Sequence, residues 1–145
     1  MRTPQILGAA AAVVLLVACA KDCTDIGCIS GVAIEVPLEI PVAKLPVEVT
    51  ACAEGECTTS TITASQAAPG RDTFGVGPSV SLTGRRERDV DVSLVVRSVA
   101  TGEAIAAGQG VAHVVRSQPN GSGCGPVCFG ARLRYDAATH RLVTL

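Results

Sequence analysis

Aromatic side chains are nearly missing from this chain: Phe74, Phe129 and Tyr135 are the whole complement, and there is no tryptophan among 145 residues. A sugar cleft that works by stacking on aromatic platforms therefore has almost nothing to build with, which argues against lectin and glycosidase designs. The core has to come from Val, Ile, Leu and Ala, which bury less area per residue. An excess of charge of one sign is missing as well, since 12 basic residues face 13 acidic ones. So even a balance excludes nonspecific binding to nucleic acid or to an anionic membrane face. Also lacking is an apolar run of the roughly 20 residues that a membrane-spanning helix requires.

The longest apolar run, residues 6–17, follows Arg2 and leads into Leu16, Val17, Ala18 and Cys19. A basic start, an apolar middle and a small residue before the cut are the three parts of an export signal. Leu16-Val17-Ala18-Cys19 resembles the lipobox of bacterial lipoproteins. That resemblance implies a signal peptide over residues 1–18, alkylation of the Cys19 thiol by diacylglycerol, and Cys19 as the mature N-terminus. Two acyl chains make a stable anchor where one binds only reversibly. An uncleaved signal anchor and an ordinary secretory signal cut near Ala18 remain as alternatives. Ten Arg against two Lys, with abundant Ala, Val and Gly, suit a high-GC genome, and an actinobacterium is the expected source. The anchor implies the outer face of the cytoplasmic membrane. In a host with two membranes, Ala20 after the lipidated cysteine resembles residues that permit transfer to the outer membrane.

Removing residues 1–18 from 145 leaves 127, the length of one domain. Residues 19–30 are expected to form the lipidated N-terminus and linker, and 31–145 the folded domain. Loss of Arg2 leaves 11 basic residues against 13 acidic ones, so net charge does not steer a partner. Setting Cys19 aside leaves Cys23, Cys28, Cys52, Cys57, Cys124 and Cys128, an even set that predicts three disulfides in an oxidising compartment. Cys52 and Cys57 flank a short hairpin loop and are expected to pair. The other four pair either locally, Cys23 with Cys28 and Cys124 with Cys128, or across the domain, N-terminal pair to C-terminal pair.

Val32, Ile34, Val36, Leu38, Ile40 and Val42 alternate with Ala33, Glu35, Pro37, Glu39, Pro41 and Ala43, the period of a strand with one buried face. The prolines lack a ladder donor and place this strand at an edge or at a bend. Leu45, Val47, Val49 and Ala51 mark a second strand, and the Thr-rich residues 58–63 a third. Residues 64–78, with three glycines and two prolines, read as a long surface connection. Val90, Val92, Leu94 and Val96 mark the central strand, residues 103–107 and 109–117 the next two, and Leu133 and Tyr135 another, before a short strand at 141–145. Seven to nine short strands without helical spacing predict an all-β, disulfide-bridged antiparallel sandwich. In pattern it resembles immunoglobulin-like or transthyretin-like domains.

Each chemically suggestive cluster has a plainer reading. Cys124-Gly125-Pro126-Val127-Cys128 is similar to the thioredoxin motif with one residue added, but it lacks the helix that lowers a redox thiol's pKa, so structural disulfides are expected. No four ligands show zinc spacing, and His113 and His140 stand alone, so no metal or cofactor is expected. No nucleophile elbow accompanies those histidines. Asp89 and Asp91 share one strand face and suit a solvated surface, and Arg85, Arg86 and Arg88 interleave with acids at a turn. Asn120-Gly121-Ser122 reads as a turn. The expected function is therefore a non-enzymatic binding or structural module held to the membrane through Cys19. Its partner is another envelope component, met by the 64–78 loop, the 118–128 loop or an edge strand. The alternatives are a small envelope hydrolase or thiol enzyme, or a protease-inhibitor-like domain.

Overall fold

The structure, a computed structural model, describes residues 27–28, 30–66 and 73–145. Leu16, Val17, Ala18, Cys19 and Cys23 lie outside the described residues. In chain order the strands are β1 (Gly31–Pro41), β2 (Val47–Ala53), β3 (Glu56–Ile62), β4 (Thr73–Val76), β5 (Ser79–Ser81), β6 (Arg88–Ser98), β7 (Ala104–Ser117), β8 (Cys128–Asp136) and β9 (Arg141–Thr144). Two 3-10 turns, Val42–Lys44 and Ala64–Gln66, are the only helical pieces among the described residues. No helix among them is long and apolar enough to cross a membrane.

The all-β expectation holds, but the two-sheet sandwich does not describe the arrangement. The strands join in one sheet, ordered β3-β2-β6-β7-β9-β8-β1-β4, with β5 alongside β1. Because β5 also lies against β3 and β2, the sheet curls toward closure as a barrel-like form. Alternation states which face of a strand is buried and not which strand lies beside it, so the same pattern serves a curled sheet as well as two stacked ones. Pairing is also not wholly antiparallel: residues 31–35 of β1 run parallel to 130–134 of β8.

The core is the aliphatic one that the composition requires. Val47, Val49, Ala51 and Ala53 of β2 point inward, as do Val90, Val92, Leu94 and Val96 of β6 and Leu133 and Tyr135 of β8. β6 lies between β2 and β7, as expected of the central strand. β1 buries Val32, Ile34, Val36 and Ile40, and of the two placements its prolines allowed, an edge or a bend, it is not an edge strand of the sheet but changes partners along its length. Its first half is held between β8 and β5, whereas the second half, past Glu35, has left β8 and keeps only β4, with a register shift between Val36 and Ile40. Pro37 and Pro41 fall in that half, where one side of the strand needs no donor. Residues 64–78 are not simply a loop, since they contain β4 along β1.

β7 is one strand of 14 residues where two were expected. Gly108 does not interrupt it, and its missing side chain leaves room for the Tyr135 ring, which a Cβ there would meet at 3.1 Å. At Gly110 the chain of β9 passes so close that a Cβ would lie 2.8 Å from the Leu142 Cβ. With Ala106 and Ala112, these small residues let the β8–β9 hairpin cross the inner face of β7.

Cys52 and Cys57 pair as expected, at opposed positions of β2 and β3. The strands run on to Ala53 and Glu56, which shortens the hairpin loop to Glu54 and Gly55. Cys28 bonds to Cys128 across 100 residues, so the local pairings of Cys23 with Cys28 and of Cys124 with Cys128 are not formed. Cys124 is disulfide-bonded as well. The bridge therefore runs from the N-terminal cysteines to the C-terminal ones. It does so because β1 and β8 lie side by side, which brings Cys28 and Cys128 to the same end of the pair.

Candidate functional site

An open groove of about 1180 Å3 crosses the outer face of β6 and β7. Its floor is made of small or short side chains: Ser93 and Val95 from β6, Ala107 and Gln109 from β7. One wall is the β2–β3 tip, with Cys52, Glu54 and Gly55, and the other is the turn from β8 into β9, with His140 and Arg141. Cross-strand register explains why these residues meet. Cys52 opposes Ser93, Ser93 opposes Gln109 and Gln109 opposes Arg141, so a single polar row runs over four strands. One position along, Asp91 opposes Val111. Residues of one row share a face, so the row is a direct result of the period of two.

Both walls are braced. At the first, Glu54 sits at φ 53° and Gly55 at φ 84°, the left-handed pair that a tight two-residue hairpin requires. The Glu54 carboxylate accepts from Arg88 Nε at 2.7 Å and from Nη2 at 2.6 Å, while Nη1 and Nη2 also donate to the carbonyls of Arg86 and Thr83. Arg88 thus locks the tip to the connection before β6, and its side chain is only 12 % exposed. It is a bracing residue and not part of a solvated basic cluster. At the second wall, the buried Tyr135 hydroxyl is hydrogen-bonded to His140 Nδ1 at 2.9 Å. Asp136 closes the turn by accepting from the Ala138 N–H and the Thr139 hydroxyl.

These contacts move two carboxyl groups in one direction. The Arg88 hydrogen bonds hold the Glu54 carboxyl below its ordinary range, and the Arg88 and Arg86 charges act the same way. The Thr139 hydroxyl, then the Ala138 N–H, does so for Asp136. A carboxyl depressed in the folded state stabilises fully above its unfolded pKa, and the contribution disappears as pH falls through the folded one. The barrel should therefore lose stability in acid, below about pH 4.3, the unfolded value for Glu. In Glu54→Gln the urea midpoint should fall at pH 7, and the difference from the parent should shrink as the pH is lowered through that window. A pH-independent difference would show that the ion pair does not brace the tip.

His113 on β7 contacts Asp89 on β6 across an exposed part of the outer face. Among the described residues no group of three or more His, Cys, Asp and Glu is placed to hold a metal ion. The 118–128 loop is fastened internally, with Gln118 Nε2 donating to the Cys124 carbonyl and Asn120 Nδ2 to that of Gly125. The Cys124/Cys128 motif is split between two disulfides and so is not a vicinal dithiol. β3 is exposed except at its last residue, Ile62, and among the described residues it is laddered only to β2. Glycines two apart within a strand, Gly108 and Gly110, signal the close crossing of β7 by β8 and β9, but no residue pattern marks the groove on the opposite face. No protein-family model, curated protein or solved structure matches the chain.

Proposed function

We propose that this chain is a lipid-anchored protein of the bacterial cell envelope whose exported barrel is a non-enzymatic binding module, with the groove over β6 and β7 as its recognition surface. The observation that carries the binding reading is the groove's construction. Its floor lies on the inner strands of the sheet and its walls are tied by a disulfide, an ion pair and a buried hydroxyl, so the concavity exists before any ligand arrives. A preformed site avoids the ordering cost that a loop would pay on binding.

Support for export comes from the cysteines. Cys28, Cys52, Cys57, Cys124 and Cys128 are all in disulfides, a state that belongs to an oxidising compartment. The lipobox-like Leu16, Val17, Ala18 and Cys19 supply the route and the anchor, with diacylglycerol on the Cys19 sulfur and hydrolysis of the bond between Ala18 and Cys19. The linker to Cys28 is short, so the barrel sits close to the bilayer, on the outer face of the cytoplasmic membrane or, in a two-membrane host, on the outer membrane. A partner or ligand in the envelope lies within reach.

Intact mass and detergent phase partition of the protein from its native host test this. The mature chain should begin at Cys19, carry the lipid mass and enter the detergent phase, and Cys19→Ala should retain residues 1–18 without lipid. A cytosolic chain that keeps Met1 would overturn the anchor.

A further inference from the structure

The groove holds two charges that no ion pair among the described residues engages. Arg141 stands at the end of the polar row on one wall, and Asp91 stands on β6 two residues from Ser93, on the same face. Both are exposed, and neither enters an ion pair among the described residues. The neighbouring ionisable groups are otherwise engaged. Glu54 is bound by Arg88, Asp136, which opposes Arg141 across β8 and β9, is bound by its own turn, and His140 is bound to Tyr135. What remains is a cation and an anion on opposite sides of a floor that offers one hydroxyl and one amide, Ser93 and Gln109, between the aliphatic Val95, Ala107 and Val111.

Their spacing follows from strand geometry. Asp91 and the Ser93-Gln109-Arg141 row are two residues apart along β6, about 7 Å, and β6 and β9 are two strand widths apart, about 10 Å. The diagonal between the backbone positions of Asp91 and Arg141 is then about 12 Å. An extended peptide rises about 3.3–3.6 Å per residue, so three to four residues span that distance. We propose that the groove binds short linear peptides with free termini, of about three to four residues. Their α-carboxylate lies on the Arg141 guanidinium, their α-ammonium on the Asp91 carboxylate, and their backbone amides on Ser93 and Gln109. The fork of the guanidinium matches a carboxylate with two parallel hydrogen bonds. The hydroxyl and the amide can each donate to and accept from a peptide backbone. Small, non-aromatic floor residues admit a peptide with small side chains and give no stacking surface for a sugar or a base.

The inference rests on the groove being a recognition surface, and the test separates the two. Tetra-alanine with free termini, its C-terminal amide and its N-acetyl form are titrated into the mature protein in detergent micelles and followed by amide chemical shifts. The free peptide should move the signals of Ser93, Gln109 and Val111. Amidation should weaken binding about tenfold, the equivalent of one charge-assisted contact. In Arg141→Gln the acid and amide should bind alike, and in Asp91→Asn the free and acetylated forms should bind alike. Both positions are exposed, so the variants keep the fold. Groove signals that respond equally to acid and amide would overturn the peptide-terminus assignment while the recognition surface stands. Groove signals that respond to none of the three would overturn both.

Discussion

Gly110→Ala is expected to lower the stability of the barrel by about 3 kcal/mol, the upper part of the range for forcing an extra group into a filled interior. The added methyl would be built onto the Leu142 carbonyl oxygen, with the Leu142 carbonyl carbon at 2.9 Å and its Cβ at 2.8 Å. Two of these atoms are backbone, so no rotamer change relieves the overlap. β9 must lift away from β7 instead. That movement uncovers Leu142 and breaks the pairing of Gln109 with Arg141, the contact that carries the polar row onto its fourth strand. Gly77→Ala is the matched control, since its Cβ would meet only the Ile34 carbonyl oxygen at 3.8 Å. It should stay within about 0.5 kcal/mol of the parent. Urea unfolding measures both, with a lowered midpoint at unchanged slope for Gly110→Ala. Equal midpoints would mean that β9 is not seated on β7. Since a loss of this size is a large share of a typical total of about 5–15 kcal/mol, the variant also tests whether the groove survives without its second wall.

That contact illustrates which parts of the molecule are legible in the residues. Val90, Val92, Leu94 and Val96 announce their buried face by alternation alone, and the structure buries all four. Cys52 and Cys57 announce their pairing because a hairpin is local and its register follows from its loop. The parallel pairing of β1 with β8 is not announced by either strand. Both read as ordinary alternating segments, and nothing within them specifies a neighbour about a hundred residues away. The same limit hid the groove, whose Ser93, Gln109 and Arg141 are unremarkable singly and form a row only through the register of β6, β7 and β9. The even cysteine count pointed to bridges, but pairing Cys28 with Cys128 required knowing that β1 and β8 are adjacent. The break expected between residues 107 and 109 falls on Gly108. In β7 it is a space for Tyr135.

The second large effect is expected from Cys28→Ser with Cys128→Ser, made and compared in a Cys124→Ser background so that the Cys124 disulfide does not close the same loop. Parallel neighbours cannot be joined by a tight turn, so β1 and β8 must find each other across most of the chain at a full loop-closure cost. The bridge replaces the missing turn. Cys28 lies three residues before Gly31 and Cys128 two before Gly130, the first registered pair, and the Phe129 N–H donates to the Ser30 hydroxyl between them. For a separation of 100 residues the chain-entropy relation gives about 4–5 kcal/mol, against about 2 kcal/mol for Cys52 with Cys57, separated by 5. The short bridge adds little because a two-residue hairpin turn already holds β2 against β3. Removing the long bridge should therefore destabilise the domain by roughly twice as much as removing the short one. Amide exchange should quicken first at Val32 and Ile34, where β1 would fray from β8, and not at β6. Equal losses for the two double variants would contradict the loop-closure account. Exchange that quickened uniformly would show that β1 does not depend on the bridge for its place beside β8.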